Sequence, residues 1–153
     1  MRKIIILIII LFSLNFQAIG HVQHYENFNY LEYELFRNNK SIGYHKYDFI
    51  REGEILTVKS EVKFKITKLG VDLYEYFAES DEVYKNNEFY KFSSKTNQNK
   101  KRKYVNIGVD SNNKDLIIDG SSYQGKTSNE AIVGTWWNHK IIKSKSQISA
   151  ISG

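Results

Sequence analysis

Apolar and polar residues alternate with a period of two from about residue 30 to residue 120. That spacing puts successive side chains on opposite faces of a β-strand. Leu31, Tyr33 and Leu35 alternate with Glu32, Glu34 and Phe36, and Arg37-Asn38-Asn39-Lys40 reads as a turn. A second strand runs from Ile42 to Ile50, and Arg51-Glu52-Gly53-Glu54 turns the chain again. From Ile55 to Lys68, Val58, Val62, Phe64 and Ile66 mark an inward face, while Glu61, Lys63, Lys65 and Thr67 point outward. Leu69-Gly70 interrupts the pattern, which resumes from Val71 to Val83 through Leu73, Tyr74, Tyr76 and Phe77. Lys85-Asn86-Asn87-Glu88 forms a further tight turn before Phe89–Ser94. Two-residue loops of Asn type tolerate the positive φ that hairpins require, and loops this short make neighbouring strands antiparallel.

The predicted fold is therefore all-β: an antiparallel meander of about eight strands curled into a barrel or half-barrel. One short helical segment is expected near residues 128–138, with Ser128 or Asn129 as its cap, Glu130 in its first turn and Gly134 interrupting it. Gly120–Lys126 reads as a turn between strands, and Lys100-Lys101-Arg102-Lys103 as a hairpin tip. No segment has the helical periodicity that βαβ crossovers need.

The first twenty residues break this picture. Arg2 and Lys3 precede the apolar run Ile4–Phe12, and the segment closes on Ala18-Ile19-Gly20. Charged start, apolar stretch and small residues are the layout of a secretory signal, and the run is well short of the roughly twenty residues of a spanning helix. The expected organisation is a signal peptide over residues 1–20, a flexible N-terminal segment over 21–29 and one β-barrel-like domain over 30–153. The expected location is outside the cytoplasm, periplasmic or secreted.

Composition narrows the chemistry. The chain has no Cys, which excludes disulfide scaffolds, thiol catalysis and Cys-type zinc sites together. A formal charge of +5 falls to +3 without Arg2 and Lys3, too small and dispersed to argue for nucleic acid. Eleven Tyr and nine Phe favour strands.

Three segments together resemble a family of uncharacterised exported bacterial proteins that share a domain of unknown function. Tyr33–His45 is similar to that group's strand-turn-strand opening, which ends in Gly-x-His, here Gly43-Tyr44-His45. Leu69-Gly70-Val71 with Tyr74, Tyr76, Glu82 and Val83 resembles a second segment. Thr135-Trp136-Trp137-Asn138 resembles a third, with His139 where the group has Pro. The resemblance implies a β-rich, barrel-like exported domain and no established activity. It also implies further strands beyond Gln147-Ile148-Ser149, so a chain stopping at Gly153 is expected to leave an unpaired edge.

Candidate chemistry is sparse. Cleavage after Gly20 would pair a new α-amine with the His21 imidazole, a chelate for copper with His24 nearby, but a frayed and solvated terminus is expected there. No metal and no cofactor are expected. His45 shares a strand face with Gly43, Tyr47 and Phe49. A histidine among aromatics is a group whose pKa burial perturbs, and it either hydrogen-bonds a neighbouring Tyr or Glu or grips a ligand. Glu75 and Glu79 also share a strand face, and cross-strand pairing is the expected role of both. Trp136 and Trp137 are adjacent and cannot share a face if extended, so one anchors the core and the other looks outward. The basic run 100–103 beside Tyr104 reads as a solvated loop, with phosphate or anionic lipid headgroups as its alternative contact. There is no Gly-x-Ser-x-Gly elbow, phosphate loop, His-Glu-x-x-His helix or dinucleotide glycine pattern.

The function these residues suggest is a binding module for a lipid or other apolar ligand in the cell envelope, lined by His45, Tyr47, Tyr76, Trp136 and Trp137. The alternative is a packed interaction protein that meets another envelope protein or the membrane periphery. A His-dependent enzyme is third, resting only on His45 or His21.

Overall fold

Short Asn-type turns decide the topology. In the computed structural model, which describes Tyr25 and residues 27–112 and 114–153, eight strands form one antiparallel sheet in strict chain order. They are β1 (Tyr30–Arg37), β2 (Lys40–Glu52), β3 (Ile55–Lys68), β4 (Val71–Lys85), β5 (Glu88–Gln98), β6 (Lys101–Val109), β7 (Leu116–Gly120) and β8 (Gln124–Thr127). Both central residues have positive φ in the turns Asn38-Asn39, Leu69-Gly70, Asn86-Asn87 and Asn99-Lys100. That backbone twist matches the right-handed twist of the flanking strands. Residues 1–20, where a signal segment is expected, and His21 and His24 lie outside the described residues.

The β3–β4 turn departs from this pattern in composition. Leu69 sits at φ 51°, where its counterparts in the other three turns are Asn. A branched apolar residue has no local hydrogen bond with which to offset the left-handed conformation. Leu69→Asn is therefore expected to stabilise the protein by about 0.5–1 kcal/mol. Thermal denaturation should show a melting temperature higher by a few degrees.

The sheet does not close. β1 and β8 are its two edges, so the architecture is an open half-barrel rather than a barrel. One face is polar and charged; the other is covered at one end by the segment after β8. That segment carries β9 (Ile132–Val133), a 3-10 turn at His139–Ile142 and β10 (Gln147–Ile148). β9 and β10 pair in parallel, unlike the rest of the molecule.

The expected helix over 128–138 lies elsewhere: residues 128–138 hold a turn and β9, and the helical turn follows at 139–142. Ser128 does close a turn, its carbonyl accepting from the Ala131 amide at 3.0 Å. The β-branched pair Ile132-Val133 then pairs with Gln147-Ile148 instead of continuing as helix. Asn138 becomes the cap, its side chain accepting from the Lys140 amide at 3.1 Å. The hairpin tip expected at 100–103 is also displaced. The turn is Asn99-Lys100, and Lys101, Arg102 and Lys103 belong to β6.

Cross-strand register arranges the covered face in rows. The first row is Phe49, Val58, Glu82, Phe92, Ile107 and Ile118, each opposite the next. The second is Tyr47, Ser60, Ser80, Ser94, Val105 and Gly120, and the third His45, Val62, Ala78, Thr96 and Lys103. Segment 128–153 packs over the first row: Ala131, Val133 and Ile148 join Phe92, Val105, Ile107, Leu116 and Ile118 in one apolar cluster. Trp137 joins Tyr47, Phe49, Val58 and Tyr84 in another. Burying side chains of this size contributes about 1.5–3 kcal/mol each. The small residues of the second row make room for the end of the chain. The Ser94 hydroxyl donates to the Ala150 carbonyl at 2.6 Å, and a Cβ at Gly120 would lie 2.3 Å from the Ser152 carbonyl oxygen.

Candidate functional site

The covered half of this face is organised by one carboxylate. Glu82 lies on β4 in an otherwise apolar row and is 1% exposed. Three donors converge on it: Tyr84 Oη at 2.5 Å, Thr135 Oγ1 at 2.8 Å and Trp137 Nε1 at 2.8 Å. The Tyr84 hydroxyl in turn accepts from Asn138 Nδ2 at 3.0 Å. Burial raises the Glu82 pKa, and the three donors oppose that rise without cancelling it. The Tyr84 phenol is also pushed up, first by burial and then by the neighbouring carboxylate. These polar groups satisfy one another, so the cluster fastens the C-terminal segment to the sheet.

Sequence reasoning placed no role on Glu82, Tyr84, Thr135 or Asn138. One signal was available: Glu82 has the same parity along β4 as Tyr76, Ala78 and Tyr84, which puts a carboxylate among inward positions.

The other half of the face carries the third row and a fourth, Gly43, Phe64, Tyr76 and Gln98. The contacts of segment 128–153 given above fall on the first two rows and on Tyr84 and Leu116 beside the first, away from these two rows. Val62, Phe64, Tyr76 and Ala78 are half-buried rather than buried. Phe64 stacks on Tyr74 and Tyr76 at centroid separations of 5.7 and 5.1 Å. A cleft of about 480 Å³ lies behind this row on the outer face, where Tyr44, Lys63, Phe77 and Asn97 stand side by side and Lys65 and Glu75 edge it. A second, of about 470 Å³, runs between the C-terminal segment and the β4–β5 hairpin, past Tyr84, Phe89, Leu116 and Val133.

His45 bridges the two halves. Its Nε2 is 2.9 Å from Ser60 Oγ, its Nδ1 is 3.4 Å from the Tyr47 hydroxyl, and the His45 and Tyr47 rings are 4.3 Å apart. Burial lowers the His45 pKa from 6.5 to about 4, so the ring is neutral near pH 7. The folded state thus holds fewer protons than the unfolded chain between these values. The stability His45 contributes is complete above about pH 6.5 and is lost as pH falls toward 4. For a half-buried group, screened by solvent, the loss should be on the order of 1–2 kcal/mol. Urea denaturation at pH 7 and pH 4.5 checks this: His45→Gln should lose less stability between the two than the wild type does.

The five expected ligand residues separate into three places. His45 and Tyr47 touch each other, and Tyr76 stacks on Phe64 in the fourth row. Trp137 is buried against Phe49 and Tyr84 at 5.8 Å each, while Trp136 is 81% exposed. Neither Trp nor His45 lines either cleft. Buried Thr96, in the third row, has a hydroxyl without a well-formed hydrogen bond among the described residues. The Tyr76 phenol is near enough for that hydroxyl to offset part of the rise that burial causes in its pKa, but not in bonding geometry.

Ser60 beside a neutral imidazole has the spacing of a nucleophile and its base. Strands flank Ser60 on both sides, however, so the surrounding amides are committed to the ladder and none is aimed at a developing oxyanion. Glu75 on the outer face binds Lys65 at 2.7 Å, the cross-strand pairing expected of it. Among the described residues no cluster of His, Asp or Glu is placed to hold a metal, and no helix is long and apolar enough to cross a membrane.

Neither a curated protein nor a solved structure matches this chain. A family described as a domain of unknown function, DUF6134, matches residues 33–153, from the middle of β1 to the last residue. The match spans the whole sheet beyond the start of β1 together with the segment that Glu82 fastens, and the chain belongs to the DUF6134 family of domains of unknown function.

Proposed function

We propose that this chain is an exported binding module that holds an apolar, lipid-like molecule on the open half of its inner sheet face. One observation carries the reading. The C-terminal segment packs on the first two rows and on Tyr84 and Leu116 beside the first, while past the second row Phe64, Tyr74 and Tyr76 form a half-buried aromatic stack that those contacts do not reach. Apolar walls with a few polar groups are how small-molecule sites are built. The polar groups stand in the adjoining row: the His45 ring with Ser60, and the Thr96 hydroxyl. A ligand with an apolar body and one hydrogen-bonding group fits both rows. Export is supported by the layout of residues 1–20.

Solvent extraction of the purified protein followed by mass spectrometry, with titration of a fluorescent fatty acid, tests the reading. Saturable binding that Tyr76→Asp weakens at least about tenfold is expected, a charge there being desolvated against the ligand. No co-extracted molecule and no saturable binding would overturn it.

A second reading has its own support. Among the described residues β1 pairs only with β2, and its exposed Tyr30, Tyr33 and Phe36 border an edge to which a strand of another envelope protein could add. Pull-down from envelope extract that retains no specific protein would remove it.

A further inference from the structure

The alternation of strand directions puts the β1–β2, β3–β4 and β5–β6 turns at one end of the sheet and the β2–β3, β4–β5 and β6–β7 connections at the other. The two ends differ in charge. Segments 37–40, 67–71 and 98–103 hold seven cations and no acid, whereas 51–55, 85–88 and 109–116 hold three cations against five acids. A coding bias toward Lys would enrich both ends alike, so the polarity is a property of this fold. The basic end is also where the β3–β4 hairpin projects. β3 is paired to β2 only as far as Phe64, and β4 to β5 only from Tyr76. Residues 65–74 therefore pair in the sheet only within the hairpin, carrying its tip about 15 Å past the β5–β6 turn and alongside the β1–β2 hairpin, which also continues beyond the Gly43–Phe64 pair.

The projecting hairpin is apolar at its tip. Leu69 is 96% exposed, Val71 61% and Leu73 55%, and Phe36 on the neighbouring hairpin is 61% exposed. The acids of this hairpin are occupied: Asp72 and Glu75 both bind Lys65, at 2.8 and 2.7 Å. The β5–β6 turn sits at the base of the projection, where the Asn99 amide donates to the Glu75 carbonyl and Asn99 Oδ1 accepts from the Glu75 amide. Lys100, Lys101 and Arg102 thus flank the base of an apolar prong.

We propose that this end docks on an anionic lipid bilayer, with Leu69, Val71 and Leu73 entering the headgroup boundary and the basic turns resting on the lipid phosphates. An apolar tip ringed by cations is complementary to that surface. Apolar side chains gain by leaving water at the acyl boundary, and each nearby cation is drawn by the negative surface potential within a Debye length. The proposed ligand face is not consumed, since the pair Phe64 and Tyr76 lies below the tip, at the base of the prong.

Vesicle co-sedimentation of the full chain tests the proposal, comparing mixed phosphatidylglycerol–phosphatidylcholine vesicles with phosphatidylcholine alone. Residues 4–12 are common to every variant, so differences between variants report on the hairpins. Lys101→Glu/Arg102→Glu and, separately, Leu69→Asn/Leu73→Thr should each weaken binding to the anionic vesicles about tenfold or more. Added salt should weaken the wild type further. All four positions are exposed, and Leu69→Asn is expected to raise the melting temperature, so lost binding would not reflect lost folding. Binding that is equal on neutral vesicles, or unchanged in both variants, would overturn the proposal.

Discussion

Glu82→Ala is expected to destabilise the protein by about 4 kcal/mol, within the range for breaking a buried, hydrogen-bonded charged group. The substitution leaves a void in the first row and strips an acceptor from Tyr84, Thr135 and Trp137 at once. The two hydroxyls can turn toward other partners, but an indole N–H has no alternative role, so Trp137 bears most of the cost. Melting should fall by roughly 15 °C for a domain of this size. The loss should first appear as release of segment 128–153. Trp136 is already in water, so any red shift of tryptophan emission reports Trp137. Glu82→Gln should cost less, because its carbonyl oxygen can still receive Trp137. It should also change the pH response. A carboxyl whose folded pKa is raised stabilises fully below its unfolded pKa and loses that contribution as pH rises through the folded value. The glutamine variant should lack this alkaline decline. A Glu82→Ala protein that melts within a few degrees of wild type, with unshifted emission, would show that the apolar clusters alone hold the segment.

The first five strands were legible because their determinants are local, whereas β8 (Gln124–Thr127) lies where a turn over 120–126 was expected. Alternation assigns most residues a face, and the Asn pairs at 38–39 and 86–87 mark two of the hairpins, whose registers are then shifted by bulges at Leu35/Phe36 and Val83/Tyr84. The inward set Val58, Val62, Phe64 and Ile66 holds, while Leu73 and Phe77, out of phase with Tyr74 and Tyr76, face outward. What was not legible depends on distant parts of the chain. Glu82 meets Thr135 and Trp137 across 53 and 55 residues, and no local pattern encodes that meeting. The same distance explains the two tryptophans. Their adjacency requires opposite environments, but only the position of Glu82 selects Trp137 as the anchor. The displaced helical turn follows from β9 pairing with β10, a contact between residues about fifteen positions apart. Half of the open site was readable from strand parity, through His45, Tyr47 and Tyr76. Ser60 and Thr96 were not, because serine and threonine on an inward face become informative only when the register shows which row they join.

Gly43→Ala should lower stability by about 3 kcal/mol, toward the upper end for overpacking. A Cβ there would lie 2.0 Å from the Lys63 carbonyl oxygen, 2.6 Å from Phe64 Cα and 2.7 Å from Phe64 Cβ. All three belong to the central strand β3, and two are main-chain atoms, so no rotamer change can relieve the clash. The close approach exists because Gly43 faces Phe64 directly across the β2–β3 ladder, and the side chain Gly43 lacks leaves space for that aromatic. Forcing the strands apart should loosen Phe64 from its stack with Tyr74 and Tyr76, and with it the aromatic wall of the proposed ligand site. Ligand affinity should therefore fall with stability in Gly43→Ala, while in Glu82→Gln, whose change lies in the covered half, affinity should hold. Thermal melts combined with fatty-acid titration separate the two. If Gly43→Ala melts like the wild type and binds ligand equally well, the approach of β2 to β3 is looser than the structure has it. Position 43, the first residue of the Gly-x-His segment, would then owe its glycine to something other than the packing of Phe64.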